Sequence, residues 1–244
     1  MRTLTLDIGN TAVKYGYFED NTLRYMAVGQ TLAQVLALAQ QHAPEHVILA
    51  SVAEPTTDWA AALRPLVPGQ LIEFAPVATP MPLHNAYATP HTLGADRMAA
   101  AVGAAWLRPG RHVLVVDAGT AIKCDFVEAG HTFRGGSIGP GLRLRFQALH
   151  TFTGRLPLIE VTAGPAPLIG IDTTSAIRSG VLNGAVAEVN GLVDSYRAHY
   201  PGLTVLLTGG DAGFFQPQLK GRIFAIPELV LIGLHRILVY NVEM

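Results

Sequence analysis

The chain has 244 residues, of which 50% are hydrophobic and only 14% charged, and a sequence this apolar must bury most of its surface, which excludes a disordered protein. The formal net charge of −1, with no basic stripe or acidic tail, gives no footprint for nucleic acid or an anionic membrane. The single cysteine, Cys124, allows no intrachain disulfide and suits a reducing compartment; no secretory leader opens the sequence and no apolar stretch is long enough to span a bilayer, so a cytoplasmic protein is expected.

Leu4 and Leu6 alternate with Thr3 and Thr5, the period of a strand. Gly9-Asn10-Thr11 breaks it, and Val13 to Phe18 reads as a second strand, so residues 3–18 form a strand-turn-strand unit. Thr31 to His42 is apolar at helical spacing with Thr31 as N-cap. Glu45 to Ser51 is a buried strand, Thr57 to Arg64 a short helix closed by Pro65, and Gly69 to Phe74 a short strand. Four prolines between Ala75 and Pro90 mark a loop. Gly94 to Leu107 is an alanine-rich helix ended by Pro109-Gly110. Val113 to Val116 is a strand broken by Asp117-Ala118-Gly119, and Ile122 to Val127 is the next. Phe133 to Pro140 is glycine-rich, and Gly135 to Gly141 reads either as a loop that lets backbone approach a ligand or as a tight structural turn that lets the helix from Leu142 pack. Helices follow over Leu142 to Phe152 and from about Asp172 to Tyr200. Leu203 to Leu207 is a strand ending in Thr208-Gly209-Gly210-Asp211, and Leu229 to Tyr240 is a last helix. Alternating strands and helices argue α/β.

The first unit, TLTLDIGNTAVKYGYF, returns roughly one hundred residues later as VLVVDAGTAIKCDFV, with Asp, Gly, Thr, Ala and Lys aligned after one deletion. Only three lysines occur, Lys14, Lys123 and Lys220, and two of them fall at the matched position. Two copies suggest two similar lobes facing each other across a cleft. An Asp-X-Gly turn can be a plain hairpin. It can also be a phosphate site, because glycine admits a ligand to the backbone and successive N–H groups form an anion-binding concavity. Asn10, Thr11 and Thr120 add donors. A carboxylate at the strand end implies a cation: Asp7 suits Mg²⁺ held through water, and Asp117 a second cation. The matched pair favours nucleotide phosphates. The same order of elements is similar to the actin/hexokinase superfamily, in which Thr208 to Asp211 fits the adenosine-side loop or a simple strand-to-helix turn. Among the nine histidines, only His42 and His46 have a helix-like spacing; Pro44 between them breaks that helix, so no zinc site is expected and most histidines belong to surface or loop.

A second chemical cluster runs from Tyr87 to Arg97. Asp96 at the start of the alanine-rich helix can cap it, or accept a proton from a substrate hydroxyl, a task that needs positioning more than a raised pKa. Arg97 can fork onto an acidic substrate or a transferring phosphoryl group.

Taken together, Asp7-Ile8-Gly9-Asn10-Thr11, Tyr87-X-X-Pro90-X-X-Leu93-Gly94-X-Asp96-Arg97, Asp117-Ala118-Gly119-Thr120-Ala121, Gly135 to Gly141, Gly154 to Pro157, Thr173 to Gly180 and Thr208 to Asp211 resemble the type III pantothenate kinase family, end to end. The resemblance implies duplicated actin-like, ribonuclease H-like lobes around a central ATP cleft, divided into 1–110 with the phosphate and substrate loops and 111–244 with the cation and adenosine-side loops. It implies transfer of the ATP γ-phosphoryl group to the terminal hydroxyl of pantothenate, with Asp96 as proton acceptor. Tyr87, Gly94, Ala95, Arg97 and Thr173 would contact pantothenate; Asp7, Gly9, Asn10, Thr11, Lys14 and Thr120 would hold ATP. Mg²⁺ would sit at Asp7 and potassium or ammonium at Asp117, in a homodimer. The sequence departs from the family at Ile122-Lys123-Cys124, where many members carry further threonine, and the extra Lys123 charge there bears on either cation or phosphate binding.

Overall fold

A computed structural model describes residues 1–29, 31–53, 55–160 and 164–244. In chain order the strands and helices are β1 (Arg2–Ile8), β2 (Val13–Glu19), β3 (Thr22–Val28), α1 (Leu32–His42), β4 (His46–Ser51), α2 (Thr57–Leu63), β5 (Leu71–Glu73), β6 (His84–Asn85) and α3 (Ala95–Leu107). There follow β7 (Val113–Ala118), β8 (Ala121–Glu128), β9 (Thr132–Pro140), α4 (Leu142–Thr151), α5 (Thr173–Arg178), α6 (Gly184–His199), β10 (Thr204–Thr208), α7 (Ala212–Phe215), β11 (Ile223–Ala225) and α8 (Leu229–Glu243). Two sheets result, one ordered β3-β2-β1-β4-β5 and the other β11-β10-β7-β8-β9-β6. Read from its other end, the second is β9-β8-β7-β10-β11 with β6 added at the edge, so the strand order of the first sheet is repeated. The duplication seen in one turn extends through the whole topology: three strands, then helical crossovers to two more.

The first compact unit comprises Met1–Gly110, Val127–Gly135 and Glu228–Met244, and the second Arg111–Phe126 and Gly136–Pro227. Two later segments, Val127–Gly135 and the C-terminal Glu228–Met244 with α8, thus group with the first 110 residues. Here β1 is buried on both faces. Leu4 and Leu6 join Val35 and Ala39 of α1 and Trp59 and Leu63 of α2 in one core. Thr3 and Thr5 occupy the opposite face, both fully buried, and Thr3 Oγ1 lies 2.8 Å from His235 Nδ1 of α8. In the second unit, Leu114 and Val116 of β7 pack with Ile177, Val181, Ala185, Val189 and Val193 along the α5–α6 run and with Phe146 of α4.

Thr31 caps α1 with a reciprocal Gln34 capping box, as expected. The long helix expected from about Asp172 also forms, capped by Asp172 and Ser175, but a π-helical segment, Ser179–Asn183, interrupts it. Three expectations are corrected. The strand before the second turn runs on through Asp117 and Ala118. The glycine-rich stretch is neither loop nor tight turn but strand β9: a Cβ at Gly136 would lie 1.9 Å from Cys124 O, so glycine is what lets this strand lie against β8. The expected proline-marked loop contributes the two-residue strand β6, parallel to β9. Most histidines are at the surface, as expected, with His84, His91, His131, His150 and His199 exposed; His42 stacks on Tyr17 at 4.4 Å, and His235 is the exception, a core residue 1% exposed.

His235 lies parallel to Phe18, ring centroids 4.3 Å apart. Burial, with Arg236 adding to it, pushes its pKa down to about 4. The fold therefore favours the neutral ring, and the unfolded chain takes up the proton first as pH falls. The stability this residue lends is complete above the ordinary histidine pKa of about 6.5 and is lost as pH falls toward about 4. Urea unfolding should show His235 costing about 2 kcal/mol between pH 7.5 and 5.0. A His235→Asn variant, which cannot take up a proton, should lose that part of the slope; an unchanged slope would contradict the assignment.

Candidate active site

The two Asp-Gly turns have matching backbones. Gly9 N donates to Ala12 O at 3.1 Å, and Gly119 N donates to Ala121 O at 3.1 Å, across one residue fewer. In the first unit Asp7 is paired in register with Lys14 of β2 on one side and Ala50 of β4 on the other. Its carboxylate side chain is 8% exposed, whereas Asn10 and Thr11 at the turn are exposed. Because β1 and β4 are parallel, their carboxyl ends lie side by side, the usual ligand position of an open α/β sheet. Val52 N donates to Ile8 O at 3.1 Å, and a Cβ at Gly94 would meet Val52 Cγ1 at 3.8 Å. The start of α3 is thus brought to the same sheet end as the Asp7 turn.

That helix begins at Gly94, its N-cap. Asp96 is not the cap; it sits inside the first turn, where its Oδ1 accepts from Arg97 N at 2.8 Å. A side chain at 94 would push the Asp96 carboxylate from this position, since a Cβ there would lie 2.6 Å from Asp96 Oδ1. Gly94 thereby allows the Asp96 carboxylate to fold back over the helix start, where the N-terminal dipole favours an anion. Ala95 is buried beside it.

Arg97 is only 5% exposed. Its guanidinium carbon lies 5.5 Å from the Tyr87 ring centroid and 5.9 Å from that of Phe133, and the two rings are 6.0 Å apart. Cation–π contact with two rings holds a long side chain in one pose. The β6–β9 pairing sets this up, with Asn85 opposite Phe133, Tyr87 N donating to Asn85 Oδ1 at 3.0 Å, and Gly135 at φ +96, where a Cβ would lie 3.0 Å from the Tyr87 ring. Phe133 and Gly135 are site-building residues that sequence reasoning missed as such. Their only signal was the glycine-rich stretch itself.

In the second unit Asp117 is in register with Thr208 of β10, again at paired carboxyl ends of parallel strands. The loop from Thr208 to Asp211 closes over it. Gly209 adopts φ +97, where a Cβ would lie 2.2 Å from Ala118 O and 2.6 Å from Asp117 Oδ1, and Asp211 N donates to Ala118 O at 2.8 Å. Gly141 N donates to Thr120 O at 3.1 Å, leaving the Thr120 side chain exposed. Lys123 Nζ lies 2.7 Å from Asp117 Oδ2. Burial raises the Asp211 carboxyl, an effect Arg143 opposes. Burial pushes the Cys124 thiol up to about 12, which removes it as a nucleophile. Thr173 is the exposed first residue of α5.

A family model described as type III pantothenate kinase matches residues 3–195. A type III pantothenate kinase of Cytophaga hutchinsonii is 44% identical over 239 residues, covering 98% of this chain and 99% of that protein. One of Phocaeicola vulgatus is 42% identical over 240 residues, covering 98% of each. Among solved structures, a Campylobacter jejuni protein described as a Baf family transcriptional activator superposes with TM-score 0.62 at 20% identity, covering 99% of this chain and 100% of that one. An activator of 2-hydroxyisocaproyl-CoA dehydratase from Clostridium difficile, with bound ADPNP, gives 0.54 at 12% identity over 100% and 95% of the two chains. At these identities the structural likeness speaks for the actin-like fold.

Proposed function

The chain belongs to the type III pantothenate kinase family and phosphorylates pantothenate with ATP in coenzyme A biosynthesis, and from that premise we propose that Asp96 is the proton acceptor and Arg97 the anchor of the acceptor substrate. The observation that carries this is that one helix turn presents both a buried guanidinium seated against two rings and, next to it, a carboxylate held by the backbone N–H of the same arginine. Pantothenate carries a carboxylate at one end and a primary hydroxyl at the other. Arg97, braced by Tyr87 and Phe133, takes the carboxylate through charge-assisted hydrogen bonds. Asp96 receives the hydroxyl proton as that oxygen attacks the γ-phosphorus. Gly94 and Ala95 keep the helix start open to substrate, and Thr173 adds a hydroxyl contact.

ATP is held, in the first unit, by the backbone of Gly9 with the side chains of Asn10, Thr11 and Lys14. In the second unit Thr120 donates to phosphate and Thr208 to Asp211 forms the adenosine-side loop. A single recessed carboxylate flanked by donors fits Mg²⁺ held through water at Asp7, since this ion keeps most of its hydration shell; when bound it neutralises charge on the β- and γ-phosphate oxygens. The family resemblance also implies potassium or ammonium at Asp117. The residues present do not fit it: Lys123 takes Oδ2, Gly209 backs onto Oδ1, and no step is assigned to such an ion. A homodimer belongs to the same reading, supported by the exposed apolar side chains of Phe152, Leu158, Leu168, Ile169 and Ile171, which occur in the chain between α4 and α5. So does a cytoplasmic location; no helix among the described residues is long and apolar enough to cross a membrane.

The test is Arg97→Ala. Loss of a charge-assisted contact should raise KM for pantothenate roughly 10- to 100-fold and leave KM for ATP nearly unchanged. Equal effects on both substrates would remove Arg97 from the acceptor subsite.

A further inference from the structure

Asp117 is the carboxylate that the family resemblance gives to a free monovalent cation, and in this protein a cation is already covalently present there. Lys123 Nζ lies 2.7 Å from Asp117 Oδ2, with the two side chains only 16% and 17% exposed. The lysine reaches across the Gly119–Thr120 turn from β8 to β7, at the position matched by Lys14 in the first hairpin. The Gly209 backbone crowds the other carboxylate oxygen on one side: a methyl group there would come within 2.6 Å. Potassium and ammonium are interchangeable in many sites because they share charge and similar size, and a lysine head is an alkylated ammonium with three N–H donors. A second free cation at the same carboxylate would face the like charge of Lys123 at close range.

We infer that Lys123 is the built-in cation of this enzyme: its ammonium holds the place at Asp117 that a potassium or ammonium ion would otherwise take, and turnover needs no added monovalent cation. This rests on Asp117 being the cation carboxylate of the proposed site. Lys123 is a positioning residue, keeping the Asp117 turn and its Thr120 neighbour in the arrangement the free ion would enforce. The tethered ammonium is always at hand and is not diluted by changes in the cytosolic salt.

The experiment measures pantothenate-dependent ADP formation in choline chloride and in potassium chloride at equal ionic strength. ADP is read directly by chromatography, because common coupling enzymes need potassium themselves. The wild-type rate should agree within about two-fold between the salts, the residual difference being general ionic screening. Lys123→Ala should fall roughly 10-fold or more in choline chloride and recover saturably with potassium, ammonium or methylammonium. Potassium should also raise the melting temperature of Lys123→Ala and leave that of the wild type unmoved, a readout that does not depend on turnover. A wild-type rate that rises 10-fold or more with potassium overturns the proposal. So does a Lys123→Ala protein at full rate without potassium, or one that is folded yet unresponsive to every cation. Absence of pantothenate-dependent turnover in any salt would instead overturn the reading of the reaction.

Discussion

Replacing Asp96 with asparagine lowers kcat by roughly 10²- to 10⁴-fold, the range for a lost general base, with a much smaller change in KM for pantothenate. Asparagine has nearly the same shape, and its side-chain oxygen can still accept from Arg97 N, the contact made at 2.8 Å by Asp96 Oδ1. Helix α3 should therefore start in the same place and Arg97 should keep its seat against Tyr87 and Phe133. What the amide lacks is the capacity to take the hydroxyl proton. Loss of a structural cap would give a different outcome: a drop in melting temperature with activity retained in the folded fraction. Steady-state kinetics beside a thermal melt separates the two. A variant with full kcat would move the base elsewhere.

Gly233→Ala has the second large effect, and intrinsic helix propensity gives the wrong sign for it. In the middle of α8, alanine should favour the helix by about 1 kcal/mol. Yet α8 meets α3 backbone to backbone at this point. A Cβ on Gly233 would lie 1.7 Å from Ala99 O, and one on Gly103 would lie 2.5 Å from Leu229 O. Neither neighbour is the tip of a flexible side chain, so the helices must separate, and the buried residues around them lose contact. The expected result is a loss of about 3 kcal/mol or more, which lowers the melting temperature by about 10 °C for a chain of this size. Unchanged or raised stability would show that the helices do not cross so closely.

The duplicated turns are legible in the sequence because a hairpin is local: its strands, its glycine and its aspartate lie within a few residues of each other, and each copy is evidence for the other. The same holds for Thr31 and Gln34 at the start of α1. Strand β3 is not legible, since Tyr25, Met26 and Val28 are exposed and burial alternation is the signal that period counting uses. The Thr3 and Thr5 side of β1 reads as a polar face, and only the return of α8 from the far end of the chain buries it. Residues 133–140 read as a loop or turn because glycine is depleted in strands. The reasons for glycine there lie with Cys124 and Tyr87, which no local pattern reveals. In the candidate site, Asp96 and Arg97 can be named from the sequence as adjacent polar residues. The cap position at Gly94, the ring pair around Arg97 and the occupation of Asp117 by Lys123 follow only from which strands pair.

All of these assignments converge on one reaction, and the most direct measurement is ATP turnover with and without pantothenate in the presence of Mg²⁺, with the acceptor product identified by mass spectrometry. ADP release should require pantothenate and match, mole for mole, the appearance of pantothenate carrying one added phosphoryl group. ADP release indifferent to pantothenate, or phosphate found on another acceptor in its presence, would contradict this.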